Sequence, residues 1–344
     1  MGVETGIQWC DATLNLWTGC TKVSDGCKFC YAEHMRDGRF GKGEWGPKGT
    51  RREVKSWRTT LAKISNRAKS ENRRLKVFCS SMSDIFEGPE TCGGEKSENW
   101  VTIVRLRSQL FDAIEAHPEL DFLVLTKRIE NAGDFLERNY GDDLPPNLWL
   151  GTSVENQEQA EARIPHLLKV PAAVRFLSCE PLIGPVDLRT VNTTRYGESG
   201  EEWTNAFTGV TSFEDAGGGG EYYSETGIDW VICGGESGPN ARPMHPDHAR
   251  SLRDQCQAAG VPFLFKQWGA WGPNPRQAHG VRVAPGELES YTTITSTQRE
   301  KIGTQTWYAG HDSGPATCLE RVNKKAAGRL LDGRTWDEYP EVRP

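Results

Sequence analysis

The sequence predicts an α/β protein whose strands and helices form a partial or closed (β/α) barrel with insertions. The main observation is a series of short apolar runs, each ending in small or polar residues, at 76–81, 122–127, 148–153, 175–180, 229–235 and 262–267. Such runs are typical of buried parallel strands. Helical patterns fill several gaps between them, and alternating strands and helices form parallel βα units.

Two segments carry the clearest helical pattern. The first places five apolar residues on one face before His117 and Pro118 end the run: Ile103, Leu106, Leu110, Phe111 and Ile114. The second runs from about Asp247 to a C-terminal stop at Gly260. Both segments lie between predicted strands, where a βα unit needs its helix.

The predicted barrel is a single domain that covers residues 1–190 and 228–316. A chain of 344 residues allows this, because barrels of repeated strand and helix reach this length as one unit. Residues 191–227 contain four consecutive glycines and lack hydrophobic periodicity, so we expect a flexible acidic insertion there. Residues 317–344 return to a helical pattern rich in Lys and Arg, which predicts a basic C-terminal extension packed on the barrel.

Composition excludes two classes of protein. The chain is 36% hydrophobic and has a mean hydropathy of -0.61, and no apolar run reaches bilayer-spanning length, so a membrane protein is not expected. The N-terminus lacks a basic start followed by an apolar stretch, so we expect a cytoplasmic protein without a secretory signal. Ten cysteines spread through a long chain indicate reduced thiols or metal ligands, not a disulfide framework.

The strongest chemical signal is a group of cysteines on the loop after the presumed first strand. Cys20, Cys27 and Cys30 have the spacing C-x6-C-x2-C. Thiolates hold iron–sulfur clusters, and three of them leave one iron of a 4Fe-4S cluster open for another ligand. Two alternatives remain: a structural zinc site with Cys10 as the fourth ligand, and a redox-active pair formed by Cys27 and Cys30.

The ends of the predicted strands carry further candidates. Active sites of (β/α) barrels collect at the carboxyl ends of the strands, where this chain presents Lys127, Glu236 and Lys266. We expect these three to contact substrate or transfer protons, and the alternative is that they form structural ion pairs. Gly234 and Gly235 follow a buried strand and would let the backbone approach a ligand closely, or would form a tight turn.

Several motifs carry a resemblance to known families. The three cysteines and Phe29, an aromatic residue before the third, resemble the radical S-adenosylmethionine superfamily, although that superfamily usually has three residues, not six, between the first two cysteines. The chain also looks like a phage-associated family of unknown function. The motifs of that likeness are GIQWCDATLNLWTGC, GCKFCYAE, SMSDIF, GTSVENQ, SCEPLIGP, GGESGPNARPM and KKAAGRLLDGRTWDEYP.

The resemblance implies a barrel of the radical S-adenosylmethionine type with a 4Fe-4S cluster on Cys20, Cys27 and Cys30 and S-adenosyl-L-methionine as cofactor. It also implies an electron donor such as flavodoxin or ferredoxin, and the host cytoplasm as location if a phage encodes the chain. The implied cofactor contacts, besides Phe29, Gly234 and Gly235, lie at strand ends: Ser81, Ser83, Asp84, Thr152, Ser153, Glu155 and Glu180.

The substrate implied by the phage association is a nucleic acid or nucleotide, with a nucleobase of phage DNA as one example. Residues 51–76 support this expectation, because they hold ten Lys or Arg against two acids and include Trp57. Cationic and aromatic groups bind nucleic acids through phosphate charge and base stacking. A solvated helix face is the alternative. The function that the resemblance implies is therefore a radical S-adenosylmethionine enzyme that modifies or rearranges such a substrate. The alternative function is a non-enzymatic phage factor that binds nucleic acid or protein and keeps a structural iron–sulfur or zinc site.

Overall fold

A seven-stranded parallel sheet that curls into a half barrel forms the centre of the molecule. The computed structural model describes residues 3–141, 143–194, 201–215, 218–223, 226–273, 306–309, 317–322 and 324–341. The strands of this sheet, in spatial order, are β1 (Ala12–Leu14), β4 (Leu75–Cys79), β5 (Leu120–Thr126), β6 (Leu148–Ser153), β7 (Val174–Cys179), β12 (Trp230–Gly234) and β13 (Phe263–Gln267). Each predicted strand is present, and the prediction of a partial barrel is confirmed.

Helices connect these strands on the outer side of the sheet. They are α2 (Trp57–Glu71), α3 (Glu98–Ala116), α4 (Ile129–Tyr140), α5 (Gln157–Leu168) and α6 (Pro246–Ala259), and a short α1 (Tyr31–Glu33) precedes them. Both helices predicted from periodicity are confirmed. The Ser97 side chain caps α3 by accepting a hydrogen bond from the Trp100 amide, and α6 ends at the left-handed Gly260.

The two faces of the sheet bury different side chains. Residues such as Val77 and Val124 face the helices and join the main core. Alternate residues face the inside of the half barrel, where Trp9, Phe78 and Phe176 form a separate apolar cluster with Trp149 and Trp230. This inner cluster fills the lower part of the barrel, and a cavity lies at its upper end, at the carboxyl ends of the strands.

The segment 191–227, which we predicted to be a flexible acidic insertion, lies outside the parallel sheet. Its described part forms a separate antiparallel sheet of β8 (Val191–Asn192), β9 (Glu201–Thr204), β10 (Val210–Asp215) and β11 (Gly218–Tyr223). Hydrophobic periodicity is weak because few positions are buried, and these include polar ones. The hydroxyls of Thr204 and Thr211, for example, form a buried cross-strand hydrogen bond of 2.8 Å.

The parallel sheet ends at Gln267, well before the predicted barrel boundary at 316. A second antiparallel sheet follows, made of β14 (Trp271–Pro273), β16 (Thr317–Arg321) and β15 (Thr306–Ala309) in that order. The remaining residues assigned to the barrel, 274–305 and 310–316, lie outside the described residues. Within the C-terminal extension the only described helix is the four-residue α7 (Lys324–Ala327), because Gly328 ends it with a positive φ, so the predicted helical pattern is largely wrong.

The last part of the chain packs against the open edge of the half barrel. The Phe265 amide donates a hydrogen bond to the Trp336 carbonyl, and the Trp230 indole donates one to the Glu338 carbonyl. The Tyr339 hydroxyl then reaches the carbonyl of Gln8 at 2.7 Å, near the other edge of the sheet. The C-terminal segment therefore spans the lower opening of the barrel.

Most Lys and Arg residues of the basic segment 51–76 are exposed, but Arg51 and Trp57 are buried. Two short strands, β2 (Trp17–Thr18) and β3 (Arg52–Glu53), pair at its start. Arg51 is buried and ion-paired with Glu87 at 2.5 Å, and its guanidinium also donates to backbone carbonyls, so it belongs to the interior. Trp57 is buried as well. The expectation that these two residues form a nucleic-acid surface is wrong.

Among the described residues no helix is long and apolar enough to cross a bilayer.

Candidate functional site

A cavity of about 330 Å³ lies at the carboxyl ends of the parallel strands. Cys20, Cys27 and Cys30 all line it, together with residues from several strand ends. Of the other residues predicted from the sequence, seven line the same cavity: Ser81, Ser83, Asp84, Lys127, Ser153, Glu180 and Lys266. The parallel topology explains this meeting, because all these strands end at one edge of the sheet.

The cysteine loop is held by the end of β6. Cys27 closes a 3₁₀ turn at Asp25–Cys27, and the Ser24 hydroxyl donates a 2.8 Å hydrogen bond to Glu155. Gly26 packs so closely on the Glu155 carboxylate that a Cβ atom at this position would clash with it. Glu155 therefore positions the loop that carries the thiols, and it does not line the cavity as a cofactor contact.

Two cations surround the buried Glu155 carboxylate. Lys127 Nζ lies 3.1 Å and Arg163 Nη1 lies 2.7 Å from its oxygens. Burial by itself raises the pKa of Glu155, but Lys127 and Arg163 outweigh it and lower the pKa to about 2. Lys127 thus lines the cavity as the ion-pair partner of Glu155. The neighbouring Thr152 is also structural, because its hydroxyl donates to the Thr126 carbonyl at 3.0 Å and does not reach the cavity.

A second anchor of the cysteine loop comes from the segment after β12. Arg242 forms a two-pronged ion pair with the buried Glu236, at 2.8 and 2.9 Å. The same guanidinium donates to the Asp25 carbonyl at 2.9 Å and lies 5.3 Å from the centre of the Phe29 ring. Glu236 and Phe29 do not line the cavity. The structure therefore places both residues in the support of the loop, where we had predicted contacts with substrate and cofactor.

Below the cysteine loop, Arg128 links a thiol to a buried acid. Its Nη1 atom lies 3.7 Å from the Cys20 sulfur and 3.0 Å from the Asp84 carboxylate, and its Nη2 atom donates to the Thr21 carbonyl at 2.6 Å. Asp84 also accepts hydrogen bonds from the Thr126 hydroxyl and from two backbone amides. Burial by itself raises the pKa of Asp84, but Arg128 and these hydrogen bonds lower it below its ordinary value.

Several polar atoms of the cavity wall have no partner within the described part of the chain. These are the hydroxyls of Ser80 and Ser83 and the carboxamide oxygen of Gln267. Buried polar groups are nearly always hydrogen-bonded in folded proteins. The three atoms are therefore available for hydrogen bonds to water or to a polar ligand in the cavity. Ser81 differs from its neighbours, because its hydroxyl accepts a hydrogen bond from Asn15 and its carbonyl accepts one from Tyr31.

On the opposite side of the cavity, Lys266 pairs with Glu180 at 2.9 Å. Gly234 lies beside this pair, and a Cβ atom there would come within 2.5 Å of a Glu180 carboxylate oxygen. A Cβ atom on Gly235 would clash with the Trp268 carbonyl. Neither glycine lines the cavity, so the close approach that we predicted to a ligand is made to protein groups.

The three thiols line one cavity, but their sulfur atoms are not arranged as a metal site. Across the described ranges, no three His, Cys, Asp or Glu side chains stand grouped as metal ligands. Burial raises the pKa of the Cys20 thiol, with Arg128 acting in the opposite direction. Burial also raises the pKa of Cys30, against which the Glu33 and Ala32 amides act. Cys10 is not part of the lining and packs against the inner apolar cluster.

Sequence reasoning missed some lining residues. Trp9 and Phe78 form an apolar wall with ring centroids 4.4 Å apart, and Lys324 enters from α7. Trp9 precedes the first strand and Lys324 lies in the C-terminal extension, so neither follows a strand end. Arg128, which does not line the cavity but contacts Cys20, does follow a strand end, in the run Thr126 to Arg128, so a signal for it was present in the sequence.

Comparison with known proteins identifies a family. The model of a family described as "Protein of unknown function (DUF5131)" matches residues 4–340. Neither a curated protein nor a solved structure matches the chain.

Proposed function

The chain belongs to this family of proteins of unknown function, DUF5131, and we propose that it is a radical S-adenosylmethionine enzyme. The observation that carries the proposal is the convergence of Cys20, Cys27 and Cys30 on one cavity at the carboxyl ends of a half barrel. Three protein thiolates are the set that leaves one iron of a 4Fe-4S cluster open. The fold supplies the position at which barrels of this kind carry their sites.

The size and the lining of the cavity support binding of a small-molecule cofactor beside the thiols. Its volume of about 330 Å³ is within the ordinary range of small-molecule sites, which is roughly 300–1,000 Å³. The unpartnered hydroxyls of Ser80 and Ser83 lie in the same wall as the thiols, and Trp9 and Phe78 offer an apolar surface. A polar ligand with one apolar ring system would satisfy both kinds of group.

Each part of the chain then has a task. Cys20, Cys27 and Cys30 would hold the 4Fe-4S cluster, which when bound supplies one electron for cleavage of S-adenosyl-L-methionine. Glu155 and Arg242 fix the cysteine loop from two sides. The apolar wall excludes water from the lower cavity, which protects reactive species from side reactions.

The principal alternative is a structural zinc site that uses Cys10 as its fourth ligand, in a protein that binds nucleic acid or another protein without catalysis. A structural zinc site is closed by four protein ligands. Because Cys10 packs in the inner cluster and does not line the cavity, the arrangement favours three ligands with an open position. A nucleic acid or nucleotide substrate and a flavodoxin or ferredoxin as electron donor are part of the proposal.

Metal analysis of cysteine variants tests the proposal. Protein reconstituted anaerobically with iron and sulfide is expected to contain about four irons and to absorb near ~400 nm, as thiolate-bound clusters do. Cys20→Ala, Cys27→Ala and Cys30→Ala should each lose the iron, while Cys10→Ala, the matched control, should keep it. A colourless wild type with one zinc, or loss of metal in Cys10→Ala alone, would overturn the assignment.

A further inference from the structure

The charges that line the cavity are not evenly balanced. Near the thiols each charge has its own partner: Asp84 pairs with Arg128, Lys127 with Glu155, and Lys22 with Glu33 at 2.6 Å. At the β13 side, Lys266 and Lys324 both line the cavity, and Glu180, which is paired with Lys266, is the acid that lines the cavity beside them. This side therefore carries an excess positive charge.

Lys324 differs from Lys266 in its pairing. Lys266 is bound to Glu180, but Lys324 makes no ion pair with any described residue. Although Lys324 is exposed, the desolvation of its ammonium group beside the cavity wall, followed by the repulsion of Lys266, lowers its pKa below the ordinary value. An anion bound between the two ammonium groups would remove this repulsion.

A second observation at the same side is independent of charge. Gln267 is only 4% exposed, and its carboxamide oxygen has no partner among the described residues although it lines the cavity. Ser237, which follows β12, the strand beside β13, also lines the cavity and carries a hydroxyl group. A ligand here should therefore offer a hydrogen-bond donor beside its negative charge.

We propose that the substrate carries a phosphate group that binds between Lys266 and Lys324, with a hydroxyl or amino group that donates to Gln267. The proposal rests on the proposed function and specifies its substrate as a phosphorylated small molecule or single nucleotide unit. S-adenosyl-L-methionine does not explain the site, because it carries a net positive charge and its carboxylate is balanced by its own ammonium group. A duplex does not fit into a cavity of about 330 Å³, so a nucleic acid would have to present an extruded base or a chain end.

The test is calorimetric titration of the full chain with adenosine monophosphate and with adenosine, which differ only in the phosphate. Adenosine monophosphate should bind more tightly, and Lys324→Ala should weaken it by roughly tenfold or more, as expected for a hydrogen bond to a charged group. Lys325→Ala removes an equally exposed neighbouring lysine that does not line the cavity, and it should leave both affinities unchanged.

Equal affinity for the two ligands, or equal losses in Lys324→Ala and Lys325→Ala, would overturn the phosphate site. Iron content and cleavage of S-adenosyl-L-methionine are measured on the same preparation. A preparation that holds iron but shows no phosphate preference contradicts this inference alone. One that prefers the phosphate but holds no iron supports the phosphate site and contradicts the proposed function.

Discussion

The Nη1 atom of Arg128 lies 3.7 Å from the sulfur of Cys20, and the same atom binds the buried carboxylate of Asp84. Arg128 therefore connects a candidate metal ligand to the interior of the barrel. We predict that Arg128→Gln lowers the free energy of unfolding by on the order of 3–5 kcal/mol, because Asp84 would stay buried without its cation. Urea unfolding measures this. Arg138→Gln, in an exposed pair with Asp134, should cost less than about 1 kcal/mol, and equal losses would contradict the prediction.

Ionisation of Glu155 should make the free energy of unfolding depend on pH in the acidic range. Its pKa in the folded chain is about 2, below its ordinary value of 4.5, so its contribution is fully present above about pH 5 and is lost as pH falls toward 2. The contribution at neutral pH is on the order of 3 kcal/mol. Glu155→Gln should therefore be less stable at pH 7 and should lose less stability between pH 5 and 2, as measured by denaturant unfolding across pH. The exposed Asp134→Asn should retain the wild-type profile, and an unchanged profile in Glu155→Gln would exclude this role.

Arg242 should control the order of the cysteine loop. Arg242→Ala removes the donor to the Asp25 carbonyl and the cation beside Phe29. Amide hydrogens at 24–30 should then exchange roughly tenfold faster, because local opening becomes easier while the barrel stays folded. Hydrogen exchange with mass spectrometry measures this. The control is Arg250→Ala, which breaks the ion pair between Arg250 on α6 and Asp332 and should leave these amides protected. Unaltered exchange in Arg242→Ala would mean that Glu155 alone holds the loop.

A nucleic-acid surface, if it is built by the basic segment, must use its exposed cations. Lys55, Arg58 and Lys63 are exposed, whereas Arg51 is buried. Replacing these three with Glu should weaken binding of single-stranded DNA and reduce the slope of log affinity against log salt by about 0.7 for each phosphate that the protein no longer neutralises. Fluorescence anisotropy over a salt series provides the measurement, with Arg138→Glu as control. Identical slopes in the triple variant and the wild type would show that these three cations do not contact the phosphates of the DNA.

Much of the half barrel follows from local patterns in the sequence. Six apolar runs become parallel strands, and the face defined by Ile103, Leu110 and Ile114 is buried in α3. Burial of a repeated apolar pattern is a property of each segment, so it can be recognised without its partners. The strands within 191–227 were not predicted, because they bury threonines such as Thr204, and buried threonines do not produce a clear pattern of apolar residues.

The candidate site was only partly predictable for a different physical reason. The spacing of Cys20, Cys27 and Cys30 identified three thiols, and the order of strand ends brought Ser83, Asp84 and Lys266 to one edge. Position along a strand does not determine the direction of a side chain after the strand has ended. Glu155, Glu236 and Phe29 therefore turned out to support the cysteine loop, although each follows or accompanies a predicted element.

By itself, the sequence determined the parallel strands, the main helices and the three closely spaced thiols of the cysteine loop, since these depend on residue type and short spacing. Only the tertiary structure decided which charges are paired. Arg51 and Arg128 are both far in sequence from the acids that neutralise them, and Lys324 lies 58 positions beyond Lys266 although both line one cavity. Charge pairing depends on through-space distance and on the loss of water around each group, and both quantities exist only once the chain has folded.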